Sequence, residues 1–372
     1  MKSINLLARK YFALFAFIFV AFTSVSLSQN VTTPRNVSPA AELKQRIGLT
    51  DITVNYSRPR VTLRGNDRSG KIWGQQVPYG LTKIAFAGQG NIPWRAGANE
   101  NTTVNFSSDV KIEGKPLAAG KYGLHMIIKD ADNATVIFSN NHTSWGSFFY
   151  KQEEDALRVD VKTRKIPKVE VLTYSLIDYG NNYGVLALSW EMKQIPFKIE
   201  IDAHKTILAS FRNELRSLPG FGWQGFQTAA NYCANNRTNI AEGLQWSNTA
   251  VTRNKNFQTL STRGRLNLIA GNKAEGDTDF ADAMPLGNKN QLNAAGYGLL
   301  NGKFYDLAIK MFTANAEKNP TDPNMFDSLG EAYKISGDKA NAIKNLKKAL
   351  SMNPPANVKA NSEKLLKELG AL

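Results

Sequence analysis

The sequence predicts a multidomain β + α fold: an antiparallel β-sandwich followed by an α-helical array. Three observations carry this reading. Before residue 204, apolar and polar residues alternate at period two. After it the period moves toward 3.6, and Ala, Leu, Lys and Asn dominate. In the second half, matching residues recur at a step of 34. A period of two turns one face of a strand inward, whereas 3.6 draws an apolar stripe along a helix.

In the β half, Ile52, Val54 and Tyr56 alternate with Thr53, Asn55 and Ser57. Val104/Phe106, Tyr122/Leu124/Met126/Ile128, Val136/Phe138 and Leu157/Val159/Val161 repeat the pattern. Leu186/Leu188/Trp190 and Phe197/Ile199/Ile201 complete it. Turn signals separate the runs at Glu113-Gly114, Ala119-Gly120, Asp132-Asn133 and Gly180-Asn181-Asn182. Many short strands without helices between them point to a sandwich. In the other half, helices are expected at about 205–217, 222–235, 239–250, 256–271, 289–301, 305–318, 323–336, 339–351 and 356–369.

Before these halves, residues 1–28 have the layout of a secretory signal peptide. Lys2, Arg9 and Lys10 precede an apolar run from Tyr11 to Phe22, and Ser26-Leu27-Ser28 supplies small residues for cleavage before Gln29. The run is shorter than the ~20 residues a membrane span requires. Export, to the periplasm or outside the cell, is therefore expected, with no transmembrane anchor left after cleavage. Residues 29–40, with Pro34 and Pro39, read as a linker. The expected order is then the β-sandwich at 41–203, degenerate helical hairpins at 204–288, and a repeat array with a capping helix at 289–372.

The net charge is +15 and falls to +12 without the three basic residues of the leader. For an exported protein this favours anionic envelope ligands. No Arg tract interleaved with aromatics suggests nucleic acid. Cys233 is the single cysteine, so disulfides cannot staple the fold. It reads as a small buried apolar residue.

Tests for chemistry fail. His125, His142 and His204 do not have metal-site spacing, and no metal, cofactor or catalytic residue is assigned. Ser336-Gly337-Asp338-Lys339 fits S-x-x-K but falls in a helical turn. Gly220-Phe221-Gly222-Trp223-Gln224-Gly225 fits G-x-G-x-x-G but lacks the strand before it that a dinucleotide site needs.

The repeat pairs Leu292 with Phe326, Gly296 with Gly330, and Leu299 with Tyr333. It also pairs Ala308 with Ala342, Phe312 with Leu346, and Pro320 with Pro354. Small residues at 296/330 and 308/342 let two helices approach. Large ones at 292/326 and 312/346 are expected to fill the seam with the next hairpin. The pattern resembles the tetratricopeptide repeat, which implies a surface for a protein or peptide. Residues 205–288 do not align at a step of 34.

In the β half, several segments come in a distinctive order. They are Tyr56-Ser57-Arg58-Pro59, Val77-Pro78-Tyr79-Gly80, the stretch Trp94 to Glu100 (Trp-Arg-Ala-Gly-Ala-Asn-Glu), Ala119-Gly120-Lys121-Tyr122, Trp145-Gly146 and Trp190-Glu191. Together they resemble the exported bacterial family called domain of unknown function 2911, over roughly 38–200. Asn101 and the polar segment Gly65–Lys71 depart from that family's pattern. The resemblance implies fold, export and an envelope setting, not a reaction.

From the residues themselves, Trp94, Arg95, Asn99 and Glu100 form a candidate ligand site, joined by Tyr56, Arg58 and Tyr79 if their loops meet. Arg95 would grip a carboxylate or phosphate. The plain alternative is an Arg95–Glu100 ion pair that locks the loop. The leading functional expectation is a binding module. An envelope hydrolase acting on glycans through Glu100 and Glu191, and a purely structural envelope protein, are the alternatives.

Overall fold

The computed structural model describes residues 37–83 and 91–372. The expected leader and residues 29–36 of the linker lie outside the described residues. The chain divides into two compact units, the first ending at Ile201 and the second spanning Asp202–Leu372.

Antiparallel sheets build the first unit. In chain order its strands are β1 Ala40–Ile47, β2 Thr50–Ser57, β3 Thr62–Leu63, β4 Asn66–Asp67, β5 Thr82–Lys83, β6 Asn91–Ile92 and β7 Thr103–Phe106. Then come β8 Val110–Ile112, β9 Lys115–Leu117, β10 Gly120–Ile128, β11 Asn133–Ser139, β12 Asp155–Lys162, β13 Arg164–Tyr179 and β14 Tyr183–Ile201. One sheet runs β1-β2-β7-β10-β11-β12, and a second runs β13-β14-β8-β9. The Phe138 ring of the first sheet meets the Phe197 ring of the second edge-on at 5.8 Å. Tyr56 and Tyr174 make a similar contact at 4.8 Å. The alternating residues of β2, β7, β10 and β14 are thus the sandwich core, and Val54, Val104, Leu124 and Leu188 are fully buried there.

Two departures from the expected strand pattern bear on the core. Strand β14 is one long strand where two runs were read. Glu191, with φ +53°, and register shifts in the β13–β14 pairing bend it instead of ending it. The reverse face of β10 and β11, expected to be solvated, is covered too. His125, Ile137 and Ser139 are all buried. Segment 140–154 supplies Ser147, whose Oγ lies 2.7 Å from His125 Nδ1, and Tyr150, whose ring meets His125 edge-on at 5.5 Å. The Ser–His pair is sealed: Ser147 is 1% and His125 2% exposed. It is a satisfied core contact, with no access for a substrate.

Paired helices build the second unit. They are α1 Ala203–Glu214, α2 Trp223–Asn236, α3 Ile240–Arg253, α4 Phe257–Ala270, α5 Lys273–Ala283 and α6 Lys289–Asn301. The array continues with α7 Tyr305–Lys318, α8 Pro323–Ser336, α9 Lys339–Ser351 and α10 Ala356–Glu368. Helix α5 was not anticipated, and it completes the pairing α2/α3, α4/α5, α6/α7 and α8/α9. Among the described residues no helix is long and apolar enough to cross a membrane.

The repeat has a steric basis. An added Cβ on Gly296 would lie 2.6 Å from Phe312 Cζ, and one on Gly330 2.7 Å from Leu346 Cγ. Phe312 and Leu346 therefore lie over the glycine of their own hairpin, where a role in the seam with the next one was expected. Gly264 and Phe280 repeat this contact at 2.9 Å. Gly264 precedes Gly296 by 32 residues, so this earlier hairpin belongs to the same series at a shorter step. In α2/α3 the equivalent small residues are Ala230 and Gly243, and the added Cβ of Gly243 would lie 2.7 Å from Cys233 Cβ. Burial pushes the Cys233 thiol up to about 11, which leaves it protonated and inert at neutral pH.

Two glycines of α6 make a test. Gly296→Ala forces a methyl into the Phe312 ring and is expected to destabilise the helical unit by about 1–3 kcal/mol. At Gly298 nothing lies within 4 Å of the added Cβ. Gly298→Ala is expected to stabilise by up to about 1 kcal/mol. Denaturant unfolding followed at 222 nm reads both, and shifts of the same sign would refute the packing.

Candidate functional site

The stretch Trp94–Glu100 is a loop held at many points. It leaves the sheet after Trp94, whose backbone exchanges two hydrogen bonds with Met126 (2.9 and 2.8 Å). Ala96 and Asn99 then take left-handed conformations, φ +50° and +59°. Such backbone costs of order 1–3 kcal/mol per residue and persists where the surroundings over-determine it. The surroundings do so here. The Tyr174 hydroxyl donates to the Ala96 carbonyl (2.9 Å), and Trp94 Nε1 donates to the Gly97 carbonyl (3.2 Å). Arg95 Nη1 donates to the Asn99 carbonyl (2.8 Å), and Asn99 Nδ2 donates to the Ser38 carbonyl (3.0 Å). Gly97 cannot be larger, because a Cβ would sit 2.6 Å from Thr102 Oγ1.

The predicted site residues do not converge on one ligand position. Tyr56 is buried in the sandwich. Arg58 reaches β13, donating to the Leu172 carbonyl (3.0 Å) and Thr173 Oγ1 (2.7 Å). Tyr79 is half-exposed and lies against Gly74. Glu100 accepts from Ser57 Oγ at 3.2 Å. The Arg95 guanidinium stacks over the Phe148 ring at 4.6 Å and lies flat against Gly146. Burial lowers its pKa. The Arg95–Glu100 ion pair offered as the plain alternative is not formed. Arg95 locks the loop through a carbonyl and an aromatic face instead.

Of the predicted residues, Trp94 faces an open cleft. Around it stand residues the sequence reading did not assign: Arg60, Arg68, Gln76 and Trp190, together with Gly97 and Ala98. Trp94 and Trp190 stack at 6.2 Å, and Trp73 meets both edge-on, at 5.8 and 6.0 Å. Arg68 is fixed by the carbonyls of Val61 and Arg60 and by Gln76 Oε1. Arg60 pairs loosely with Glu170 at 3.8 Å. The residues lining the cleft include no carboxylate. Glu191 is buried and accepts from the Gly70 amide at 2.6 Å. The two-acid arrangement that glycosidase chemistry requires is therefore not assembled from Glu100 and Glu191. Among the described residues no cluster of three or more His, Cys, Asp or Glu could hold a metal.

Residues 38–199 match the family model described as "Protein of unknown function (DUF2911)". The first unit is a DUF2911 domain. Loop 94–100, the aromatic trio and the cleft all lie inside the DUF2911 domain, whose description attaches no activity to them. No curated protein matches the chain.

A second face lies on the first helices of the hairpins, α2, α4, α6 and α8, where polar side chains recur from one hairpin to the next. Gln227 Nε2 donates to Thr262 Oγ1 (2.7 Å). Arg265 donates to Asn231 Oδ1 (3.3 Å) and Asn235 Oδ1 (2.7 Å). The Tyr297 hydroxyl contacts Ser328 Oγ (3.2 Å) and Glu331 Oε2 (2.9 Å). Asp327 accepts from Asn361 Nδ2 (2.8 Å) and from Ser362 Oγ. Asn231, Arg265, Tyr297 and Glu331 occupy the same position in successive first helices, so register alone aligns them.

Solved helical-repeat structures resemble part of the chain. One is "MamA 41-end from Desulfovibrio magneticus RS-1", 19% identical over 40% of this chain and 86% of that one, TM-score 0.28. Another is a tetratricopeptide repeat protein from Parabacteroides merdae ATCC 43184, 15% identical over 44% and 66%, TM-score 0.31. YrrB, titled "a TPR protein with an unusual peptide-binding site", is 18% identical over 43% and 83%, TM-score 0.29.

Proposed function

We propose that the chain is an exported binding module whose helical unit, a tetratricopeptide-type array, holds a protein segment in extended form. The observation that carries this is the aligned polar face of α2, α4, α6 and α8. Amide side chains there, such as Gln227, Asn231 and Asn235, can donate and accept at once, which suits a peptide backbone. The intervals of 34, 32 and 34 residues between Asn231, Arg265, Tyr297 and Glu331 place a polar side chain at the same position of each first helix along the array. The DUF2911 domain would contribute its Trp94–Trp190 cleft as a second, separate site for an anionic envelope ligand.

Export rests on the first 28 residues. N-terminal sequencing of the protein from bacterial cells should begin at Gln29, and a retained Met1 would remove the envelope setting. For binding, a random peptide display library is selected on the full-length chain and counter-screened on Asn231→Ala/Asn235→Ala/Tyr297→Ala. Enrichment that the triple variant loses supports the reading. No enrichment, or enrichment indifferent to the variant, ends it. A glycan hydrolase is the weaker reading, because the cleft lacks the paired carboxylates.

A further inference from the structure

Among the described residues, three charges on the first-helix face, Arg265, Asp327 and Glu331, have no counter-ion. Arg265 is half-buried, and its hydrogen bonds go to two neutral amide oxygens. Arg263, two residues away on the opposite face, shows the ordinary alternative: it forks onto the Asp279 carboxylate with contacts of 2.5–3.1 Å. Two hairpins further on, Asp327 is 4% exposed and bound by Asn361 and Ser362. Glu331, one helical turn later, accepts from the Tyr297 hydroxyl. Among the described residues neither acid forms an ion pair, and Arg265 forms none. Burial without a counter-ion lowers the Arg265 pKa and raises that of Asp327. A charge removed from water without an opposite partner is costly, and a ligand that supplies the partner relieves that cost.

We propose that the helical unit recognises an extended segment carrying an acidic residue over Arg265 and a basic residue over Glu331, beside the buried Asp327. Spacing follows from the architecture. Two hairpin steps at about 10 Å each span about 20 Å, and an extended chain rises about 3.3 Å per residue. The two ligand charges therefore stand about six residues apart. This inference rests on the peptide-binding reading and adds a charge register to it.

The test uses the peptides selected on the full-length chain, resynthesised with acetylated N-termini and amidated C-termini. Glu or Asp should recur with Lys or Arg five to seven positions away, in one consistent order. Replacing the acidic residue by Gln should weaken binding about ten- to hundredfold. Arg265→Glu should lose the original peptide and accept one whose acidic residue is replaced by Lys. Arg265→Gln, checked for an unchanged unfolding transition, should bind the acidic and Gln peptides alike. Selected peptides without paired charges would overturn the charge register and leave peptide binding standing. Peptides that bind only with a free C-terminal carboxylate would also overturn it, since the anion would then be the chain end. A selection that enriches nothing would instead refute the peptide-binding reading.

Discussion

Phe138→Ala is expected to cost the DUF2911 domain about 3–5 kcal/mol, the range for removing a fully buried aromatic from a packed core. Phe138 has no exposed surface and lies where the two sheets face each other. Its ring meets Phe197 of the second sheet at 5.8 Å and Phe106 of its own sheet at 6.2 Å. Truncation deletes the aromatic contact between sheets and leaves a cavity, because the neighbours belong to β-ladders that cannot collapse inward. A folded domain holds only about 5–15 kcal/mol in total, so this loss takes a large share of it. Phe138→Leu keeps most of the apolar volume and should cost distinctly less. Denaturant unfolding of the full-length protein, followed by tryptophan fluorescence, measures both. A loss below about 1 kcal/mol for the Ala variant would mean that the sheets do not pack through this ring.

Most of the architecture is legible in the sequence because rhythm records burial. The sequence places the change of period near residue 204; β14 ends at Ile201 and α1 starts at Ala203. Helix α5 escaped because its stripe is thin: among Lys273–Ala283 the buried residues are Gly276, Asp279, Phe280 and Ala283. One phenylalanine among small and acidic residues gives little amplitude at period 3.6. The step of 32 residues from Gly264 to Gly296 then hid its kinship with the later repeats. Strand β13 escaped for a different reason. It lies at the edge of its sheet, buries only Leu172 and Tyr174, and carries Pro167 among Arg164, Lys165, Lys168 and Glu170.

The candidate site was harder to read. Trp94 stands out within its local stretch, yet its partners Trp73 and Trp190 come from distant segments, and only the fold brings them within stacking distance. Arg95 looked like an anion ligand by composition. Nothing in the sequence announces that Phe148 and Gly146 will cover its guanidinium. Local spacing encodes the face of a helix or strand. It does not encode which loops of a sandwich meet.

The stability of the DUF2911 domain should fall as the pH drops from about 6.5 to about 4, and His125 should be the cause of a measurable part of that fall. Burial, with a smaller contribution from the nearby Arg95 charge, lowers the His125 pKa to about 4. An unfolded histidine titrates near 6.5. Between these values the unfolded chain binds a proton that the folded one excludes, so folding loses ground as pH falls. Above about 6.5 the contribution is complete, and below about 4 both states are protonated and no further loss comes from this residue. Integrated across the window, the linkage amounts to about 3 kcal/mol. Asp155 works in the opposite sense, since burial raises its pKa and its protonation favours the folded state at low pH. The raw pH profile therefore mixes signs, and the His125 share is isolated by difference. His125→Gln keeps a polar group facing Ser147 but cannot titrate. Its absolute stability will differ, yet its profile between pH 6.5 and 4 should be flatter than that of the parent by about 3 kcal/mol. Parallel profiles for the two proteins would show that His125 is not held neutral beneath segment 140–154, and the sealed face of β10 would have to be open to water.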